Sequence, residues 1–176
     1  MSTMAGPGGR VFAIVQMRNF ILVCTDAISP DGVKVSAESL AERRLRAGRW
    51  PLYPKTPLQG RMTPGDRLLV YLGGARPGAQ SFYAVATVAL TEPVQRRKET
   101  ALDGDDLSGH QPASSWLLLR DILLLNPRVS VRELLPRLSF LPKTPNRWGA
   151  AFMSGVRTLS DADWAVIVAG ATASAA

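Results

Sequence analysis

The chain of 176 residues holds a single cysteine and a single histidine. One thiol, Cys24, leaves no disulfide framework, so a reducing compartment fits the sequence and a cytoplasmic location is the simplest expectation. One Cys and one His also supply no zinc-ligand spacing, and no metal or cofactor is expected. Long apolar runs are missing as well: none approaches the roughly 18–20 residues a membrane helix needs. Met1 to Gly9 is small and polar, without the apolar stretch of a secretory signal. Acid is the scarcer charge, with 14 Asp+Glu against 21 Lys+Arg, giving a formal net charge of +7 and a pI near 10.3.

That pI exceeds the value of about 9 above which a basic footprint points to nucleic acid. Arginine supplies most of the charge and is grouped: Arg43, Arg44, Arg46 and Arg49, then Lys55 and Arg61, then Arg96, Arg97 and Lys98, with Arg76 between the last two groups. Its forked guanidinium suits phosphate. A solvated basic face is the competing reading of the same charges. Hydrophobic residues at 46% and charged residues at 20% describe a globular chain, long enough for one domain with a proper core. We expect that domain over 10–170, with tails at 1–9 and 171–176.

The organising stretch is Met62 to Leu90. Thr63-Pro64-Gly65-Asp66 is turn chemistry. Arg67–Leu72 and Ser81–Leu90 are rich in β-branched and aromatic residues and predict two strands, joined by the glycine-rich loop from Gly73 to Gly78. Upstream, Arg10–Val15 and Phe20–Cys24 predict one interrupted strand or a strand pair. Ser36 or Ser39 opens a short charged helix that Gly48 stops. Trp50 to Pro57 carries three prolines, which exclude a helix and a central strand, so an extended loop is expected there. Thr91–Pro112 reads as a polar surface excursion, and Trp116–Leu125 as a buried strand broken by Asn126-Pro127. Ser130 with Glu133 resembles a capping box for a short helix through Leu135. Asn146–Val156 predicts a loop with a helical turn, Ser160 caps a last helix, and Gly170–Ala176 is a small-residue tail.

Catalytic chemistry finds little support. His110 lies in the polar excursion, and Cys24 follows Phe20-Ile21-Leu22-Val23 as a buried hydrophobe would. A small enzyme using Cys24 or His110 is the reading from another class, and general acid–base work would require those groups to be positioned. Asp103, Asp105 and Asp106 lack the remaining positions of a calcium loop. Gly73-Gly74 lacks the Lys-Ser/Thr and the helix of a phosphate loop. Aromatics beside arginines are more informative. Trp50 and Tyr53 follow the first arginine group; Tyr71, Phe82 and Tyr83 sit on the central strands. Phe82 and Tyr83 must face opposite ways. Such aromatics stack bases while cations hold the backbone; the alternative for each is the core, above all for Trp116 and Trp164.

In order along the chain, Asn19–Thr25 followed by Asp26, Gly48-Arg49-Trp50 with Tyr53, the Met62–Tyr71 Gly-Asp turn and strand, Ser81–Pro93, Val129–Leu134 and Arg157–Trp164 together resemble an EVE domain, a branch of the PUA-like fold related to YTH domains. The sequence departs from that pattern at Phe20-Ile21, where the family usually has a tryptophan, and in the proline-rich loop after Trp50. The resemblance implies an α+β, PUA-like pseudo-barrel of mixed strands flanked by short helices. It also implies a non-enzymatic reader of a modified base, 5-methylcytosine or a derivative in DNA first, flipped from the duplex and associated with a nuclease in modification-dependent restriction. RNA or modified RNA is the alternative target. The expected pocket residues are Trp50, Tyr53, Tyr71 and Tyr83 as walls, with Thr25, Asp26, Thr56 and Ser81 for the base edge. Phosphate contacts are expected from Arg43, Arg44, Arg46, Arg49, Lys55, Arg61 and Arg76.

Overall fold

A computed structural model describes residues 16–93, 112–142 and 147–173. Its frame is one six-stranded sheet built from β1 (Asn19–Cys24), β4 (Arg49–Leu52), β5 (Arg67–Leu72), β6 (Ser81–Pro93), β7 (Ser115–Ser130) and β8 (Val156–Leu159), in the order β4-β7-β6-β5-β1-β8. β1 and β5 run parallel; the other neighbours are antiparallel. A small ribbon, β2 (Ala27–Ile28) with β3 (Lys34–Val35), stands apart. Helices α1 (Ala37–Arg46), α2 (Val131–Leu134) and α3 (Asp161–Ala173) and two 3-10 turns, Gln59–Arg61 and Trp148–Phe152, complete the described part. This is the mixed α/β half-barrel that the sequence led us to expect.

The alternation of side chains along β1 and β5 divides the core in two. Phe20, Leu22 and Cys24, with Leu68, Val70 and Leu72, face inward beneath α1, joined there by Trp50, Leu52, Ala84 and Leu117. Ile21, Leu69 and Tyr71 face the other way, against Val131, Leu134, Phe152 and Ile167 of the outer helices and turn. Because both faces are covered, β1 and β5 read as continuous apolar runs. Phe82 and Tyr83 fall on opposite faces, as alternation requires.

Local chemistry sets the element ends. Ser36 Oγ accepts the Ser39 N–H at 3.1 Å to open α1, and Arg43, Arg44 and Arg46 occupy its last turn, where cations suit the helix dipole. Ser160 Oγ accepts the Asp163 N–H at 3.1 Å and opens α3. The turn before β5 closes on Asp66, which is 1% exposed and accepts the backbone N–H groups of Thr63 at 2.8 Å and Arg18 at 2.9 Å. Its guanidinium partner, also Arg18, stands at 3.0 Å.

Four expectations need correction. Arg49–Leu52 is not loop but an edge strand, paired Pro51 to Trp116; prolines are tolerated there because an edge strand can spare a donor. β7 does not end at Asn126: it runs to Ser130 through a cis Asn126–Pro127 bond. Nor is it buried throughout. Asp121 takes a left-handed φ of +51°, the register slips against β6, and Leu123 and Leu124 emerge 64% and 53% exposed. α3 continues past Gly170 to Ala173, and that glycine lets the helix close on β7, since a Cβ there would stand 3.1 Å from Val129 Cγ1. Ser130 does precede α2, but its side chain makes no cap hydrogen bond and the helix is four residues long. His110, Asp103, Asp105, Asp106, Arg96, Arg97 and Lys98 lie outside the described residues.

A candidate base-binding cavity

Where parallel strands β1 and β5 end together, a cavity of about 730 Å³ opens. Val23, Cys24 and Thr25 leave β1 along one wall; Tyr71, Gly73 and Gly74 leave β5 beside them. The chain crosses closely here: a Cβ at Gly73 would sit 3.0 Å from Thr25 Cγ2, so glycine keeps the two strand ends together. Pro51 of β4 and Val156 of β8 also line the cavity, although these strands are the opposite edges of the sheet. The sheet curls until its edges face each other, and the cavity occupies the seam.

Aromatic side chains supply walls on two sides. On the inner side stand Trp50 and Tyr53, from β4 and the residue after it, with Leu40 and Arg44 of α1. Arg44 is only 5% exposed; its guanidinium lies 5.1 Å from the centre of the Trp50 ring and donates to Tyr53 Oη at 3.3 Å and to Cys24 Sγ at 3.8 Å. Thr56 Oγ1 accepts the Tyr53 N–H at 2.9 Å and so fixes the backbone that presents the ring. On the other side, Tyr71 stacks on Phe152 with ring centres 3.9 Å apart, and Trp148 meets Phe152 edge-on. Burial pushes the Tyr71 phenol up to about 12, so it stays protonated and able to donate.

The rim is polar and oriented. Gln80 holds a left-handed φ of +58°, fixed by its N–H to Leu72 O at 2.7 Å and by its carbonyl accepting from Val131 N at 3.0 Å. Its side-chain amide donates to Gly74 O at 3.2 Å and accepts from Arg132 Nε at 3.2 Å. A carbonyl can only accept and a guanidinium can only donate, so these partners assign the amide's two ends. Arg132, at the start of α2, also lies 5.9 Å from the Trp148 ring centre.

Of the residues singled out from the sequence, Trp50, Tyr53, Tyr71, Thr25, Thr56 and Arg44 come together at the cavity. Asp26, Ser81 and Tyr83 do not line it. The Asp26 carboxylate accepts the Ala37 N–H at 3.0 Å and pairs with Lys34 at 3.2 Å and Arg76 at 3.5 Å; the Ala37 bond above all holds it below the usual carboxylate range. It fastens α1 to the β5–β6 loop and lines a smaller cavity of about 260 Å³ with Arg76. Ser81 Oγ donates to Gly78 O at 2.6 Å inside the same loop. Tyr83 is buried in the inner core with Arg128 4.8 Å from its ring centre. Arg49 folds onto Trp116, 4.8 Å from its ring centre, and Arg46 pairs with Glu42. Lys55, Arg61 and Arg76 are exposed, whereas Arg43 is half-buried. Sequence reasoning missed Trp148, Phe152, Gln80 and Arg132. A signal existed for Trp148: it stands among Gly149, Ala150 and Ala151, outside any apolar period, as Trp50 stands among prolines.

No family model and no curated protein sequence matches the chain. Solved structures do. The human THYN1 protein, determined in complex with DNA containing 5-methylcytosine, superposes with a TM-score of 0.54 over 86% of this chain and 96% of its own, at 11% identity. The chain shares the fold of that protein. The DUF55 domain of human thymocyte nuclear protein 1 matches equally, at a TM-score of 0.54 and 10% identity, over 86% of this chain and 96% of that one. A protein of Pseudomonas syringae gives a TM-score of 0.53 at 19% identity, covering 86% of this chain and 97% of its own. At these identities the likeness is one of fold. Among the described residues no helix is long and apolar enough to cross a membrane, and no three His, Cys, Asp or Glu gather as metal ligands would.

Proposed function

We propose that this chain is a non-enzymatic reader of modified DNA, which draws a modified cytosine from the duplex into the cavity between β1 and β5. The observation that carries the reading is the cavity itself: aromatic walls on two sides, Trp50 with Tyr53 and Tyr71 with Phe152 and Trp148, around a buried guanidinium. Its volume of about 730 Å³ falls within the roughly 300–1,000 Å³ usual for small-molecule sites. A base inside a duplex cannot reach such walls, and extruding it costs a few kcal/mol. Stacking repays about 1–3 kcal/mol per base, and the Gln80 amide and the Tyr71 hydroxyl offer hydrogen bonds to its edge. A structural neighbour that carries 5-methylcytosine DNA supports DNA as the target. The net charge of +7 supplies the sequence-independent attraction. A reader of this kind marks a site for another activity, and a nuclease partner fits that role.

The test is a titration against matched duplexes bearing cytosine, 5-methylcytosine, 5-hydroxymethylcytosine or N6-methyladenine, at two salt concentrations. A preference of about tenfold for one modified duplex, equal to about 1.4 kcal/mol, is the expected result. Equal and steeply salt-dependent binding to all four would reduce the protein to a basic surface. Matched modified RNA in the same titration decides the target, because a site built for DNA gains nothing from the 2′-OH.

A further inference from the structure

Met153 is 84% exposed, the most exposed large apolar side chain among the described residues, and it stands on the lining of the cavity. The segment carrying it is held firmly. Phe152 is buried against Tyr71, the Arg157 guanidinium donates to Ala151 O at 2.8 Å, and the Val23 N–H of β1 donates to Gly155 O at 2.8 Å. Ser154 Oγ also donates to Val156 O, at 3.1 Å. Around these anchors the chain forms a knuckle whose outer residues, Gly149, Ala150, Met153 and Ser154, are exposed and uncharged. Arg147 and Arg132 flank it, both exposed.

An uncharged knuckle between arginines is poorly suited to holding a phosphate and well suited to entering a groove. We propose that Met153 is the wedge of the base-reading site: it enters the duplex as the modified base leaves and fills the gap in the stack. The inference rests on the proposed reading of a flipped base. Apolar wedges, methionine among them, enter base steps in this way, and a flexible unbranched thioether adapts to an irregular gap. The support beneath it is rigid, as insertion against a stacked helix demands. The position at the cavity rim also makes extrusion of the base and insertion of the plug one movement.

The experiment compares the parent chain with Met153→Ala and Met153→Leu on three DNAs: a duplex with the modified base paired, the same duplex with an abasic site opposite that base, and a single strand. A 2-aminopurine beside the target reports unstacking. Met153→Ala should bind the paired duplex about tenfold more weakly, with a smaller 2-aminopurine signal, and match the parent on the abasic duplex and the single strand, where no pair resists extrusion. Met153→Leu should restore most of the loss. If the parent draws out the modified base and Met153→Ala does so equally well, the wedge is wrong while the reading stands. An equal loss on all three DNAs also overturns it, by making Met153 a direct contact to the base. A parent that neither prefers a modified duplex nor unstacks it overturns the underlying reading, and the wedge with it.

Discussion

Tyr53 is the residue at which binding and stability separate most cleanly. Trp50 is buried in the inner core, so truncating it would cost folding as well as any ligand, of order 3–5 kcal/mol for a large aromatic. Tyr53 is half-buried, and its ring lines the cavity without belonging to the core cluster. Tyr53→Ala should therefore lose about 1–3 kcal/mol of affinity for the preferred duplex, read by titration, and lower the thermal midpoint less than Trp50→Ala does, the remaining loss coming from the acceptor it takes from buried Arg44. Tyr53→Phe should keep most of that affinity, since it retains the ring. The outer aromatic wall was harder to read from sequence. Trp148 and Phe152 have no strand or helix period around them, and they reach the cavity only through the stack on Tyr71, a contact between residues far apart in the chain. The proline-rich stretch around Trp50 and Tyr53 announced itself because proline and tryptophan together have few structural uses.

Among the elements, α3 is tied by its first turn to the segment that follows α2. Ser160 Oγ accepts from Asp163 N and donates to the Asp163 carboxylate at 2.7 Å, and that carboxylate also accepts from Ser139 N and Ser139 Oγ, each at 2.7 Å. Ser160→Ala should lower stability by about 0.5–2 kcal/mol, seen as a shift in the urea midpoint with an unchanged slope, and leave base preference alone. Caps of this kind were legible in the sequence, at Ser36 and Ser160, because a cap is local. β4 was not. Its prolines pointed away from a central strand, which was correct, but whether an extended proline stretch pairs at an edge depends on β7, more than sixty residues away. The leucine run of β7 misled for a related reason: hydrophobicity cannot show where a bulge at Asp121 turns two leucines outward. The strands β1 and β5 were legible one by one, because apolar runs and a Gly-Asp turn are short-range signals, but their parallel pairing was not.

For the molecule as a whole, two dependences on solution conditions follow. The first is on salt. If exposed Arg132 and Arg147 beside the cavity each neutralise one phosphate, replacing either by Ala should flatten the plot of log affinity against log salt by about 0.9 and leave the modified-to-unmodified ratio nearly unchanged. The second is on pH. Burial pushes the Asp66 and Asp163 carboxyls up, but the hydrogen bonds and cations around them outweigh it, and both end below the ordinary value, as Asp26 does. A carboxyl whose folded value is depressed binds more protons when unfolded. Its contribution is therefore complete above the unfolded value, near 4, and lost as pH falls through the folded one. Urea midpoints should hold from neutrality to about pH 5 and then decline, and Asp66→Asn should show a shallower decline from a lower starting point.

The placement of the cavity between the two edges of the curled sheet has a mechanical consequence. No ladder of hydrogen bonds joins β4 to β8 in the described order of strands, although Pro51 and Val156 line the same cavity. A molecule seated there would act as a keystone between the two edges. Occupancy should accordingly slow amide hydrogen exchange in β8 and β4 more than in the parallel pair at the centre, and raise resistance to unfolding in proportion to the logarithm of ligand concentration. Guest and half-barrel would then share one cooperative unit, and the fold would be most complete with its cavity filled.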